Sequence, residues 1–193
     1  MSECPRVDPG IDLSRAAFVH PTACLYGDVT LAQDVSVWCN VVIRAEQDRV
    51  VIGARSNLQD FVMVHVAGPT IVGEDCSITH HVTLHGCRIG DACLIGIGAT
   101  IMDGARIGAG SIVAGGAFVK EGAVIPPNSI VMGAPAQVKR ERDNAVANRM
   151  NAFFYAENAK GYARGDFRVW SSDAFKAAAA RKRERLLAGL AER

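Results

Sequence analysis

The sequence predicts an all-β fold, a coil of short strands followed by C-terminal α-helices, and three observations predict it. Branched aliphatic residues recur every six positions through the first two thirds of the chain. A second column of small residues follows most of them at the fourth position. The 193 residues include 19 glycines but only twelve aromatics, although 49% are hydrophobic. A core this large is usually anchored by rings, so this one is built from small and β-branched side chains. Period six suits neither an amphipathic helix nor a long alternating strand. It suits short strands joined by tight turns, with each aliphatic pointing inward and a small residue filling the corner.

The elements follow in chain order. Val19, Leu25, Leu31, Val37 and Ile43 open the pattern, Ile52, Leu58 and Val64 resume it, and Val72, Ile78 and Leu84 continue it. An unbroken run follows at Ile89, Ile95, Ile101, Ile107, Val113, Val119, Ile125 and Val131. The small column includes Ala23, Ser56, Cys76, Cys93, Ala99, Ala105, Ser111 and Ala117. Glycines placed directly after the aliphatic (Gly53, Gly73, Gly90, Gly96, Gly108) are expected to relax the tight backbone. Repeats at a fixed short period mark a coil whose end needs a cap. The segment after Val138 is expected to supply it, with one helix over roughly 140–160. A second helix is expected after Ser171, Ser172 and Asp173, an N-cap signal before FKAAAARKRERLLAGL.

Charge divides the chain at the same place. Residues 1–138 carry 8 basic and 13 acidic side chains, residues 139–193 carry 13 and 7, and the whole has a net charge of +1. All seven prolines lie at or before Pro135, and seven of the twelve aromatics lie beyond it. These shifts predict two parts: a coil over 1–138 and a helical segment over 139–193 packing on it. Near-neutral charge argues against a general nucleic-acid or membrane-surface binder, and the balanced, apolar composition argues against disorder. The basic cluster Arg181, Lys182, Arg183 and Arg185 reads as a solvated helix face. The six cysteines form no C-x-x-C pair, and the polar MSECPRVDPG start has no apolar signal segment. A cytoplasmic chain with reduced thiols is therefore expected.

The repeats resemble the hexapeptide-repeat, left-handed parallel β-helix proteins, in which three hexapeptides make one triangular turn. The resemblance supplies the handedness, which the spacing cannot. On a three-faced coil, Ile43 falls on face one, Ile52 on face two and Leu58 on face three. Val64, Val72, Ile78 and Leu84 continue that order. Val64 and Leu84 are then stacked one coil apart, so His65 and His85 project from one face about 4.8 Å apart in backbone. Two imidazoles at that separation can share a metal. Arg44 lies one rung below in the same column. His80 lies near another corner, with Asp60 in its own column and Gln59 in the column beside it. A second copy of the chain could bring its His80 to the pair, giving three His ligands and an open position for water. Unlike these three, His20 and His81 read as ordinary surface polar residues.

The stretch VVIRAEQDRVVIGARSNLQDFVMVH, the stretch GEDCSITHHVTLHGCRIGDACLIGIGATIMDGARIGAGSIVAGGAF and the segment MGAPAQVKRER resemble the gamma-class carbonic anhydrase family, in its short-loop bacterial type. The likeness runs over residues 17–142. It implies a lyase that hydrates CO2 reversibly to bicarbonate, as a homotrimer with metal sites shared between subunits and no nucleic-acid or membrane partner. His65 and His85 of one subunit and His80 of its neighbour would bind Zn2+, with Fe2+ or Co2+ as other metals. The metal would lower the pKa of its water towards ~7 and make hydroxide available at neutral pH. The likeness further implies a subunit-bridging ion pair of Arg44 with Asp60, a water-orienting Gln59 and a turn-supporting Asn57. Two departures bear on proton transfer. The usual Arg-Gly-Asp is here Arg44-Ala45-Glu46, followed by Gln47 where the strongest enzymes carry a shuttle glutamate. The loop 66–70 is short. Glu46 is the nearest carboxylate for proton transfer, because pairing with Arg44 would depress Asp60. Two other readings of the scaffold are a CoA-dependent acyltransferase or thioesterase and a non-catalytic metal-binding scaffold. Cys76 and Cys87 read as packing residues.

Overall fold

The computed structural model describes residues 5–191, so Cys4 lies outside the described residues. The chain winds into a parallel β-helix of about six turns with two C-terminal helices. Face one stacks Leu25, Ile43, Val64, Leu84, Ile101 and Val119 in parallel register. Face two stacks Leu31, Ile52, Val72, Ile89, Ile107 and Ile125. Face three stacks Val19, Val37, Leu58, Ile78, Ile95, Val113 and Val131. Every member of the six-residue column therefore lands on the face its spacing predicts. The strand Val42–Ile52 is longer because it turns the corner between faces one and two without a break.

Burial explains why the column must be aliphatic. Leu25, Ile43, Ile52, Leu58, Ile78, Leu84, Ile95 and Ile101 are fully buried, each stabilising by roughly 1.5–3 kcal/mol on burial. The small column fills the corners beside them: Ala23, Ser56, Cys76, Cys93, Ala99, Ala105 and Ser111 are all at or below 1% exposed. The Ser56 hydroxyl donates to the Gly73 carbonyl and accepts from the Cys76 amide, stitching one corner to the next coil.

The glycines after the aliphatics serve a different purpose from the one expected. None of Gly53, Gly73, Gly90, Gly96 and Gly108 has a positive φ. A Cβ at Gly108 would collide with the Pro127 backbone one coil away, so close approach of coils is what demands glycine there. The left-handed backbone sits instead at the third residue after most of the aliphatics. Asp34, Asn40, Arg55, Phe61, Asp75, His81 and Ala92 adopt it, followed by Gly98, Gly104, Gly110, Gly116 and Gly122 and then Asn128.

The C-terminal part begins with a strand rather than a helix. Gln137–Glu141 pairs antiparallel with Ser129–Met132, so helix α1 (Ala145–Tyr162) starts five residues later than expected. A short turn at Val169–Ser171 leads to α2 (Asp173–Ala191). The Ser172 hydroxyl accepts the Phe175 amide at 3.1 Å, an N-cap contact. Instead of plugging the open end, α1 lies along face three, against the strands bearing Val19, Val37, Leu58 and Ile78. Buried Asn148 donates to the Ala92 and Ser111 carbonyls of two coils. Phe18, Trp38, Tyr155 and Tyr162 form an edge-to-face ring cluster at the same junction. The scarce rings are thus concentrated where the coil meets the helix.

Candidate metal centre

The register that builds face one also builds a polar column on its outside. Tyr26 pairs with Arg44, Arg44 with His65, and His65 with His85. His65 Nδ1 and His85 Nε2 approach to 3.0 Å, with ring centroids 5.1 Å apart. Both rings are half-buried, at 28% and 26% exposed. On the far side of His85, Nδ1 meets both carboxylate oxygens of Asp103 at 2.8 Å. A carboxylate on one ring nitrogen fixes the tautomer and aims the other nitrogen as a metal ligand. Tetrahedral zinc with Zn–N distances of 2.0–2.1 Å sets two ligand nitrogens about 3.3 Å apart. The observed nitrogen separation is close to that bite, so this donor set fits a divalent metal.

Arg44 and Glu46 complete this first cluster. Arg44 Nη1 donates to Glu46 Oε1 at 2.9 Å, and Glu46 Oε2 lies 3.5 Å from His65 Nε2. Ala45 between them is buried at 3% exposure, facing the core while its neighbours face out. Glu46 thus links the arginine to a metal-ligand candidate, and Gln47 beside it is exposed.

His80 belongs to a second cluster, at the corner that leads from face three into face one. Its Nδ1 lies 3.0 Å from Asp60 Oδ2. Asp60 also pushes the Cys39 thiol above its ordinary range, after the larger effect of burial. Burial, and then the same carboxylate, raise the Tyr155 hydroxyl. Gln59 and Asn57 are buried beside this corner, at 2% and 1% exposed. Gln59 Nε2 donates to Asn57 Oδ1, and Asn57 Nδ2 donates to Ser77 Oγ and the Cys76 carbonyl. That chain of amides holds Gln59 in place through its Nε2.

The predicted site residues therefore fall into two groups. Arg44, Glu46, His65 and His85 come together on one side, and Asn57, Gln59, Asp60 and His80 on the other. Within the chain Arg44 pairs with Glu46 and Asp60 with His80, not with each other. Among the described residues, no three His, Cys, Asp or Glu side chains converge to hold a metal. Asp103 escaped the sequence reading, although its position two residues after Ile101, on the coil next to Leu84, was a usable signal. The remaining histidines behave as expected. His20 bonds Thr22, and His81 stacks on Phe61 at 4.9 Å. Cys76 and Cys87 are fully buried, and burial pushes the Cys87 thiol up to about 12, which leaves it inert as a nucleophile.

Comparisons with known proteins agree with this arrangement. The family described as bacterial transferase hexapeptide (six repeats) matches residues 86–121. A probable carbonic anhydrase of Methanocaldococcus jannaschii is 50% identical over 131 residues, 67% of this chain and 82% of that protein. Mitochondrial gamma carbonic anhydrase 1 of Arabidopsis thaliana is 38% identical over 99 residues, 47% of this chain but 36% of that protein. The Escherichia coli protein YrdA is 39% identical over 100 residues, 54% of its length. The chain thus spans most of the archaeal relative but about a third to a half of these other two. Among solved structures, a Bacillus cereus protein described as an acetyltransferase is 36% identical with a TM-score of 0.75, covering 79% of this chain and 90% of that one. A hexapeptide transferase family protein of Anaplasma phagocytophilum is 31% identical with a TM-score of 0.71, covering 82% and 93%. No helix among the described residues is long and apolar enough to cross a membrane. With half of its aligned residues shared with the archaeal protein over most of that protein's length, and with the paired histidines standing on a hexapeptide coil, the chain belongs to the gamma-class carbonic anhydrase family.

Proposed function

We propose that the protein catalyses the reversible hydration of CO2 to bicarbonate, with zinc or another divalent cation held between subunits of a homotrimer. The observation that carries this reading is the in-register pair His65 and His85, 3.0 Å apart and aimed by Asp103. The two clusters are halves of one site, and His80 of an adjacent copy completes it. Symmetric closed assemblies repeat such a shared contact at every interface. When bound, the cation supplies a Lewis acid that makes hydroxide available from water near neutral pH.

The chain's own groups then have defined work. The Asp103 carboxylate holds His85 in one tautomer. Gln59, locked through Asn57, presents its carbonyl oxygen to accept a hydrogen bond from the attacking water. In the assembled trimer Arg44 and Asp60 pair across the subunit boundary. Glu46, bridging Arg44 and His65, is the carboxylate nearest the site and hands protons to bulk water. Gln47 cannot act as a relay because its amide does not titrate.

Stopped-flow CO2 hydration on anaerobically purified protein, with metal content measured on the same sample, tests the proposal. Hydration that scales with bound metal supports it. Stoichiometric metal without hydration overturns it. The reading then favoured is acyl transfer, because a neighbour at 36% identity is described as an acetyltransferase.

A further inference from the structure

Face two carries a feature that CO2 hydration does not use. Arg88 and Arg106 occupy the same outward position on adjacent coils, paired in register before the buried Ile89 and Ile107. Two like charges one rung apart, about 4.8 Å in backbone, repel unless something between them is negative. Among the described residues neither guanidinium has an ion-pair or hydrogen-bond partner. Two other arginines of the coil are satisfied: Arg55 is gripped by Asp75 and Glu74, and Arg44 by Glu46.

The two arginines line a cavity of about 380 Å³ together with Gly68, Pro69 and Gly104. The one acidic lining residue, Asp103, has both oxygens directed at His85 Nδ1. The rest of the lining is alanine, glycine and Pro69, with no bulky apolar side chain. Neighbouring guanidinium groups recognise planar or tetrahedral oxyanions through paired N–H donors.

We propose that Arg88 and Arg106 form an oxyanion site, distinct from the histidine cluster, that takes a carboxylate-type anion such as bicarbonate or a phosphate group. One anion binds per chain, its oxygens accepting from both guanidinium groups. Because Asp103 lies between this site and His85, the bound anion sits beside the metal centre without ligating it.

Calorimetric titration of the full-length protein at low ionic strength tests this, with inorganic phosphate and with bicarbonate as separate probes and chloride at matched ionic strength as the blank. Repeating it after chelator dialysis separates the site from any anion bound at a metal. The expected result is saturable binding near one anion per chain, retained after chelation and weakened at least tenfold by R88Q and by R106Q. R168Q, which alters an exposed arginine elsewhere, leaves it unchanged. Saturation by phosphate alone assigns the site to phosphate groups, and saturation by bicarbonate assigns it to carboxylate-type anions. Binding no stronger than chloride, or unaltered in R88Q and R106Q, overturns the proposal. So does dissociation of the oligomer in the double variant with no change in anion affinity, since the pair would then serve a subunit contact.

Discussion

At the scale of single residues, the metal centre depends on how two histidines are held. His85 is aimed by a carboxylate on its far nitrogen, and His65 is aimed by register alone with Glu46 at its edge. His85→Ala removes a ligand and is expected to abolish stoichiometric metal binding, read by elemental analysis of purified protein. Asp103→Asn keeps the shape but loses the charge behind the imidazole, and metal affinity is expected to fall about 10–100-fold. Unchanged affinity in that variant would mean that Asp103 orients nothing. The buried thiols make a separate prediction. Cys87 is raised from its ordinary 9.0 to about 12, so the native thiol keeps its proton where an unfolded one loses it. Its contribution to stability is therefore intact below pH 9 and is lost as pH rises from 9 towards 12. The urea midpoint of the native protein is expected to fall more steeply over that range than that of Cys87→Ala. Equal slopes would contradict the burial argument. The histidine column was legible in the sequence because spacing of 20, one coil plus two inserted residues, put His65 under His85. Asp103 was less legible, since a carboxylate 18 residues after His85 acquires meaning only once the coil period is applied beyond the motif.

At the scale of elements, the six-residue column was fully legible because one geometric demand recurs on every strand: a branched aliphatic must fill a narrow prism. The corner glycines were misread because two demands lie close together. Close approach of coils falls on the residue after the aliphatic, and left-handed backbone falls two residues later. The small short-chain residues of that later position, with occasional Arg, Phe or His, hide the pattern. Gly108→Ala is expected to destabilise the protein through collision with the Pro127 backbone, by about 1–3 kcal/mol if neighbours shift to absorb it. The expected helix over roughly 140–160 took in Arg140 and Glu141, the end of the Gln137–Glu141 strand, because Arg and Glu favour helices. Pairing with Ser129–Met132 overrides that preference. The docking of α1 rests on Asn148, which spans two coils. Asn148→Ala leaves the buried Ala92 carbonyl without its donor, while the Ser111 carbonyl keeps the Leu94 amide, and should cost about 1–3 kcal/mol in urea unfolding. A cost near zero would mean that α1 is held by its other contacts, the rings, Asn151 on Ser77 and Arg149 on Asp75.

At the scale of the whole molecule, the charge asymmetry resolves into an acidic coil and a basic helical segment, and the aromatics gather where the two meet. What a single chain cannot supply is the third histidine. His80 sits with Asp60 at one corner, while His65 and His85 stand at the next, and neither cluster alone reaches three ligands. The column spacing already put His80 at a different corner from His65 and His85, but it orders residues along one coil and does not fix how a neighbouring copy packs. The division has a consequence that mixing variants exposes. His80→Ala and His85→Ala are each expected to purify without metal. Co-refolded in equal amounts, they form mixed trimers in which one interface in about three joins an intact His65–His85 pair to an intact His80. Metal content of that mixture, measured after tagged purification of the mixed oligomer, should recover to about that fraction of the native value. Mixed trimers that still bind no metal would contradict the shared site.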